Sequence, residues 1–359
     1  MLKRSARLLV SSAAVAVDRA VTLAAERASA GRRRKNPAES LGHGARLAAL
    51  DEMKRLYPEQ GDGGFFPSPR AIEPQERVVR WTTAGDRVFD LCWPSIEHTF
   101  LPELEPRYGR FLQNHVATAR LLTRGEPRPV AILIHGYLGG AFNMEQRVWP
   151  IEWLMRMGLD VALFVLPFHG PRADPKRAAP PFPSSDPRMT NEGFRQAMTD
   201  LRELVRYLSE RGHPAVGVMG MSLGGYSTAL AATLEDQLAF AIPIIPLASV
   251  ADFARYHGRL GKDHEQTALQ HAALESVHRI VSPVHRPPRL PPERLMVIGA
   301  RADRITPVEH ARRLAHHFGV PLHSWAGGHL LQVGRADAFR KVGRFLGELG
   351  LTERRPPRR

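Results

Sequence analysis

The stretch GMSLGG sets Ser222 between Gly220 and Gly224, with one residue on either side. An apolar run, Ala215 to Met219, leads in, and a helix-forming run, Ser227 to Leu234, leads out. A serine that attacks a carbonyl must stand clear of the backbone where a strand turns sharply into a helix. Side chains two before and two after it would collide there, so both must be minimal. A serine hydroxyl is a weak nucleophile without a base, and the base needs an acid to orient it. Downstream, VIGARADRITP puts Asp303 three residues past an apolar run and before a helix opened by Pro307. WAGGHLL puts His329 just after the last apolar run, behind two glycines that read as freedom for the loop to swing inward. We expect Ser222 as nucleophile, His329 as proton carrier and Asp303 as the acid that fixes the imidazole. Negative charge developing on the substrate oxygen needs two backbone N–H donors. The N–H of Leu223, directly after the nucleophile, and that of Tyr137 in HGYLGG are the candidates.

Plainer readings stand beside these. Ser222 is also a turn residue, Asp303 also a helix cap, and His329 one of sixteen histidines in the chain. His135 reads as shaping the loop that carries Tyr137. His169, in LPFHGPR, reads as lining a pocket or fixing the proline-rich loop that follows it. Five histidines, His257, His264, His271, His278 and His285, recur every seven residues. On a helix that spacing shares a face but separates neighbours by about 10.5 Å, too far for one metal ion. No metal site and no cofactor is expected.

These residues need elements to hold them. PVAILIHG (129–136), DVALFVLP (160–167), PAVGVMG (214–220), FAIPIIP (240–246), RLMVIGA (294–300) and PLHSWAGG (321–328) read as six buried strands. Helical stretches alternate with them: 143–157, 191–211 with Thr190 or Asn191 as cap, the run after Ser222, 307–318 and 330–346. The alternation gives an α/β architecture, a doubly wound, mostly parallel sheet. RVVRWTT and RVFDLCW, joined by AGD, read as a hairpin ahead of it, while 94–128 is ambiguous. Residues 169–187 hold six prolines and cannot be helical throughout. Residues 247–293 read as a lid-like insertion with a helix over about 264–281. The organisation expected is a basic segment (1–36), a region with the hairpin (37–128), a core with its insertion (129–350) and a basic tail (351–359).

The 359 residues are 43% hydrophobic, enough for a sizeable core. The single cysteine, Cys92, excludes an internal disulfide and a thiolate-rich metal site. Of the net charge of +14, residues 1–35 carry +7 and residues 353–359 carry +3, leaving +4 for the body. Charge confined to the ends does not suggest a specific nucleic-acid partner. The start of the chain has three readings: a docked or solvated amphipathic helix, a helix lying on an anionic membrane surface, or a signal peptide cut near Ala14-Val15-Ala16. The expected location is cytoplasmic, with membrane association and the signal peptide as alternatives.

HGYLGG, GMSLGG, GARADRITP and GGH, in that order and spacing over 129–346, resemble the α/β-hydrolase superfamily. LPFHGPR looks like a less-studied branch of α/β-hydrolase domain proteins. The resemblance implies an acyl hydrolase that needs no metal or organic cofactor and acts on a small-molecule or lipid ester through an acyl-enzyme. An acyltransferase and a membrane-peripheral lipid acyl hydrolase are the alternatives.

Overall fold

The computed structural model describes residues 12–20, 41–58, 63–81, 86–96 and 98–352. In chain order the elements are helix α1 (12–20), α2 (His43–Lys54), β1 (Gln75–Trp81), β2 (Asp86–Pro94), α3 (Glu105–Tyr108), β3 (Val116–Arg124), β4 (Val130–Ile134), α4 (Phe142–Val148), α5 (Ile151–Arg156), β5 (Asp160–Phe164), α6 (Pro187–Glu210), β6 (Val216–Met221), α7 (Leu223–Ala231), β7 (Ala241–Ile244), α8 (Val250–Tyr256), α9 (His264–His278), β8 (Val297–Ala300), α10 (Val308–His317), β9 (Leu322–Trp325) and α11 (Arg335–Glu348). Residues 1–11, 21–40 and the basic tail at 353–359 lie outside the described residues, so the targeting readings of the chain start fall there in part.

The nine strands form one sheet in the order β1-β2-β3-β5-β4-β6-β7-β8-β9. The first three are antiparallel to their neighbours, including β3 to β5, and the pairs from β5 to β9 are parallel. The mostly parallel sheet predicted from the apolar runs is therefore present. Its central strands, β4 to β8, are buried along their whole length because both faces are covered. Along β4, Val130, Ile132 and Ile134 enter one core with α6 and α7, while Ala131 and Leu133 enter the other with α5 and α11. The hairpin register runs from Gln75 opposite Cys92 to Trp81 opposite Arg87, slipping between Val78 and Arg80.

Several local expectations are corrected. The ambiguous stretch 94–128 contains β3, whose nine residues pair with β2 along their full length. The helix expected over 143–157 is two helices, α4 and α5, because Pro150 interrupts it. The long helix expected from Thr190 or Asn191 starts at Pro187 instead. Asp186 is its N-cap and its side chain accepts a hydrogen bond from the Arg188 N–H, with proline tolerated at the first helical position. The closing helix begins at Arg335, not Leu330, since residues 327–333 form a separate loop. Within 247–293, α9 packs against α2 and α8.

A buried polar network ties the turn after β5 to the sheet and to α6. Arg172, fully buried, donates to the carbonyl oxygens of Val165 and Asn114 and to Asp200 Oδ2 at 2.8 Å. Ser95 Oγ donates to Asp200 Oδ1 at 2.6 Å. Burial pushes the Asp200 carboxyl up, and the Arg172 guanidinium opposes that shift. Removing one member leaves the other charge buried and uncompensated. R172M is expected to cost about 3–5 kcal/mol, and R172M/D200M to recover most of it. Urea unfolding followed by circular dichroism measures both.

Candidate active site

The parallel strands deliver their C-terminal ends to one rim. Among the described residues, four non-glycine residues have positive φ: Leu138 (67°), Phe168 (65°), Ser222 (57°) and Ile245 (42°). They follow β4, β5, β6 and β7, which are four adjacent strands in the order β5-β4-β6-β7. Such conformations are costly for residues with a Cβ, above all a β-branched isoleucine, and they cluster where a structure performs chemistry.

Ser222 sits between β6 and α7 with φ 57° and ψ −115°, and its N–H donates to the Ile244 carbonyl. The flanking glycines are required by contact. A Cβ on Gly220 would lie 2.1 Å from the Gly224 carbonyl oxygen, and one on Gly224 would lie 2.2 Å from that of Ile134. A Cβ on Gly136 would lie 3.4 Å from Ser222 Cβ, so the loop after β4 runs beside the serine. Leu223 opens α7, and its N–H is among the first four of that helix, which have no partner within it.

The loop after β4 is pinned from behind. His135 is buried; its Nδ1 lies 2.7 Å from the Gly136 carbonyl, and its Nε2 accepts from the Leu166 N–H at 3.1 Å. Nε2 as acceptor assigns the proton to Nδ1. Burial and the neighbouring His169 push the His135 pKa down to about 3, so the ring is neutral. The Gly140 N–H donates to the buried Glu145, at 2.9 Å. Tyr137 stands 46% exposed at the loop's outer side. His169 is buried beneath it, with Nδ1 2.8 Å from the Pro167 carbonyl and its ring edge-on to that of Tyr137. Burial pushes the His169 pKa down to about 4. Gly170 is a close-approach glycine: a Cβ there would lie 2.2 Å from the Gly140 carbonyl oxygen. LPFHGPR thus braces the loop that carries Tyr137.

Asp303 and His329 meet after β8 and β9. His329 Nδ1 lies 2.8 Å from Asp303 Oδ2, with both residues buried. Asp303 Oδ1 also accepts from the N–H groups of Ile305 and Thr306. Thr306 Oγ lies 3.0 Å from Asp303 Oδ2, 3.1 Å from His329 Nδ1 and 3.0 Å from the Ile245 carbonyl oxygen. Bonded in this way, the imidazole presents Nδ1–H to the carboxylate and keeps its Nε2 lone pair for another group. Ser222 Oγ and His329 are not hydrogen-bonded here. They are linked through the end of β7, where Ile244 accepts from the Ser222 N–H and Ile245 from the Thr306 hydroxyl.

The two glycines before His329 act differently from the swinging loop expected of them. A Cβ on Gly327 would lie 2.5 Å from the Val333 nitrogen, and one on Gly328 would lie 2.7 Å from Asp18 Oδ2. They allow close packing rather than movement. Sequence reasoning missed Thr306, Glu145 and Asp18. Four of the five histidines in the seven-residue series have separate partners: His257 bonds the Ile305 carbonyl, His271 Asp252, His278 Asn191 and His285 Ser282. Among the described residues no three metal-ligating side chains converge, and no helix is long and apolar enough to cross a membrane.

With this geometry in hand, the chain can be compared with known proteins. The profile of the prolyl oligopeptidase family matches residues 191–319, which include Ser222 and Asp303. The Mycobacterium tuberculosis protein Rv2627c, described as uncharacterized, is 33% identical over 287 residues, covering 77% of this chain and 67% of that one. A second M. tuberculosis sequence, MT2702, is 33% identical over 278 residues, covering 74% and 65%. The chain spans about two thirds of the length of these curated relatives. Among solved structures, the acetyl xylan esterase of Paenibacillus sp. R4 superposes with TM-score 0.53 at 16% identity, covering 82% of this chain and 98% of that one. Acetyl xylan esterase 1 of Thermoanaerobacterium sp. superposes with TM-score 0.54 at 14% identity, covering 84% and 98%. At such identity the superpositions establish a shared fold.

Proposed function

This chain belongs to one family with Rv2627c of Mycobacterium tuberculosis, and we propose that it is a serine hydrolase of the α/β-hydrolase superfamily that cleaves a carboxylic ester or related acyl bond with Ser222, His329 and Asp303. The observation that carries the reading is the 2.8 Å bond between His329 and Asp303 at the rim that also holds the strained Ser222. Ser222 Oγ attacks the acyl carbon while His329 Nε2 takes its proton. Asp303 keeps the imidazole in the Nδ1–H tautomer and offsets the positive charge that forms on it. The N–H groups of Leu223 and Tyr137 receive the oxyanion. His329 then hands its proton to the leaving alcohol, leaving an acyl-serine. Water, deprotonated by the same imidazole, adds to that ester, and His329 returns the proton to Ser222 Oγ as the acid leaves. The Ser222–His329 hydrogen bond that this step needs forms as substrate binds.

The prolyl oligopeptidase match favours a second reading, an amide bond as the target. One panel separates the two: p-nitrophenyl esters of increasing acyl length against aminoacyl and prolyl p-nitroanilides, with and without added alcohol, alongside fluorophosphonate labelling. Turnover of short esters with labelling is the expected result. Preference for the anilides would move the assignment to peptide bonds, and ester products trapped by the alcohol would move it to acyl transfer. A protein that neither turns over any substrate nor takes the label is not this enzyme.

A further inference from the structure

The loops that carry Asp303 and His329 leave different strands, yet their bond requires them at a fixed separation. Part of that separation is set locally: the Ala302 N–H donates to the Gly327 carbonyl at 3.1 Å. The loop around His329 is also closed on itself, by bonds from the Gly327 N–H to the Val333 carbonyl and from the Gly328 N–H to that of Leu331. The amides at its tip point elsewhere. Asp18 Oδ2, on α1, accepts from the His329 N–H at 2.8 Å and from the Arg304 N–H at 3.1 Å, while Asp18 Oδ1 accepts from the Leu330 N–H at 3.1 Å. Asp18 is fully buried, as is Ala14 one turn before it. The helix can come this close only because residue 328 has no side chain: a Cβ there would lie 2.7 Å from Asp18 Oδ2 and 3.2 Å from Ala14 Cβ. One carboxylate, about 300 residues away in sequence, thus fastens the residue after the acid to the base itself.

We propose that Asp18 is a positioning residue of the active site, a clasp that holds the Asp303 loop and the His329 loop in the register that proton transfer requires. The inference rests on the Ser222–His329–Asp303 reading above. Hydrogen bonds from amides to a carboxylate are about twice as strong as neutral ones, and three of them meet here on one side chain. Displacing a reacting group by about 1 Å can cost about 100-fold in rate.

The test compares the full-length wild type with D18A, D18N, G328A and D18A/G328A. Amide exchange is read at residues 304, 329 and 330, and kcat and KM for a short p-nitrophenyl ester are expressed per serine titrated by a fluorophosphonate. D18A is expected to speed exchange at all three amides at least tenfold. It should also lower kcat per titrated serine by about 10- to 100-fold with KM within about twofold. D18N, which keeps the shape but loses the charge, should fall between D18A and wild type, and it serves if D18A does not fold. G328A should reproduce the loss, and the double variant should add little to either single one, because both open the same contact. A role confined to stability would reduce the fraction of titratable serine and leave kcat per serine unchanged; that result overturns the proposal, as does unchanged exchange at the three amides. A wild type that takes no label removes the hydrolase reading, and the positioning role falls with it.

Discussion

Ser222→Ala should abolish fluorophosphonate labelling and lower turnover of the preferred p-nitrophenyl ester by about 10⁴-fold or more, with the fold intact. In the proposed reaction this hydroxyl is the group that bonds to the acyl carbon. The other rim hydroxyl described, that of Thr306, is engaged with Asp303 and the Ile245 carbonyl on the far side of the imidazole. His329→Ala should cost a comparable factor. Ser222→Ala/His329→Ala should be scarcely worse than either single variant, because groups that act as a unit give strongly non-additive losses. Losses that multiply would mean that the two side chains serve separate steps and that the proton relay is wrong.

Gly224→Ala has the next largest expected effect, and it acts without touching any reacting side chain. The new methyl would sit 2.2 Å from the Ile134 carbonyl oxygen and 2.6 Å from that of His135. Both partners are backbone, so either α7 moves or the end of β4 does. Each shift carries a proposed oxyanion donor with it, since Leu223 N–H belongs to the first element and Tyr137 N–H follows the second. Losing one such donor costs about 10²–10³ in kcat. Steady-state kinetics and a thermal midpoint on the same preparation measure the variant. Gly44→Ala is the control, because a Cβ at that exposed helical position meets nothing within 4 Å and activity should be unchanged.

Much of this site was legible in the sequence because its signals are local. Ser222 is marked by glycines two residues to either side, and the reason inferred for them, collision, is the one the coordinates give. Asp303 and His329 each follow an apolar run, and their meeting needed only the assumption that those runs are parallel neighbours. What stayed hidden is what depends on distant chain. β3 shows no readable alternation because both of its faces are covered: Ala117, Ala119 and Leu121 enter one core and Leu122 the other, with Thr118 and Arg120 buried as well. Asp186-Pro187 is an ordinary helix start, yet a stretch with six prolines obscures it. Gly327 and Gly328 look like a flexible hinge in sequence, and only the atoms packed against them show the opposite purpose. Asp18 carries no signal at all: it reads as one interruption in a weak amphipathic pattern, and its partners lie some 300 residues on.

The four left-handed residues that end β5, β4, β6 and β7 have a thermodynamic corollary. Each holds about 1–3 kcal/mol of conformational strain, so together they rival the entire net stability of an ordinary domain, about 5–15 kcal/mol. The strands beneath that rim, β4, β5, β6 and β7, are buried along their whole length. Softening that interior anywhere would let the rim relax first, and the molecule would go silent while its scaffold still stood.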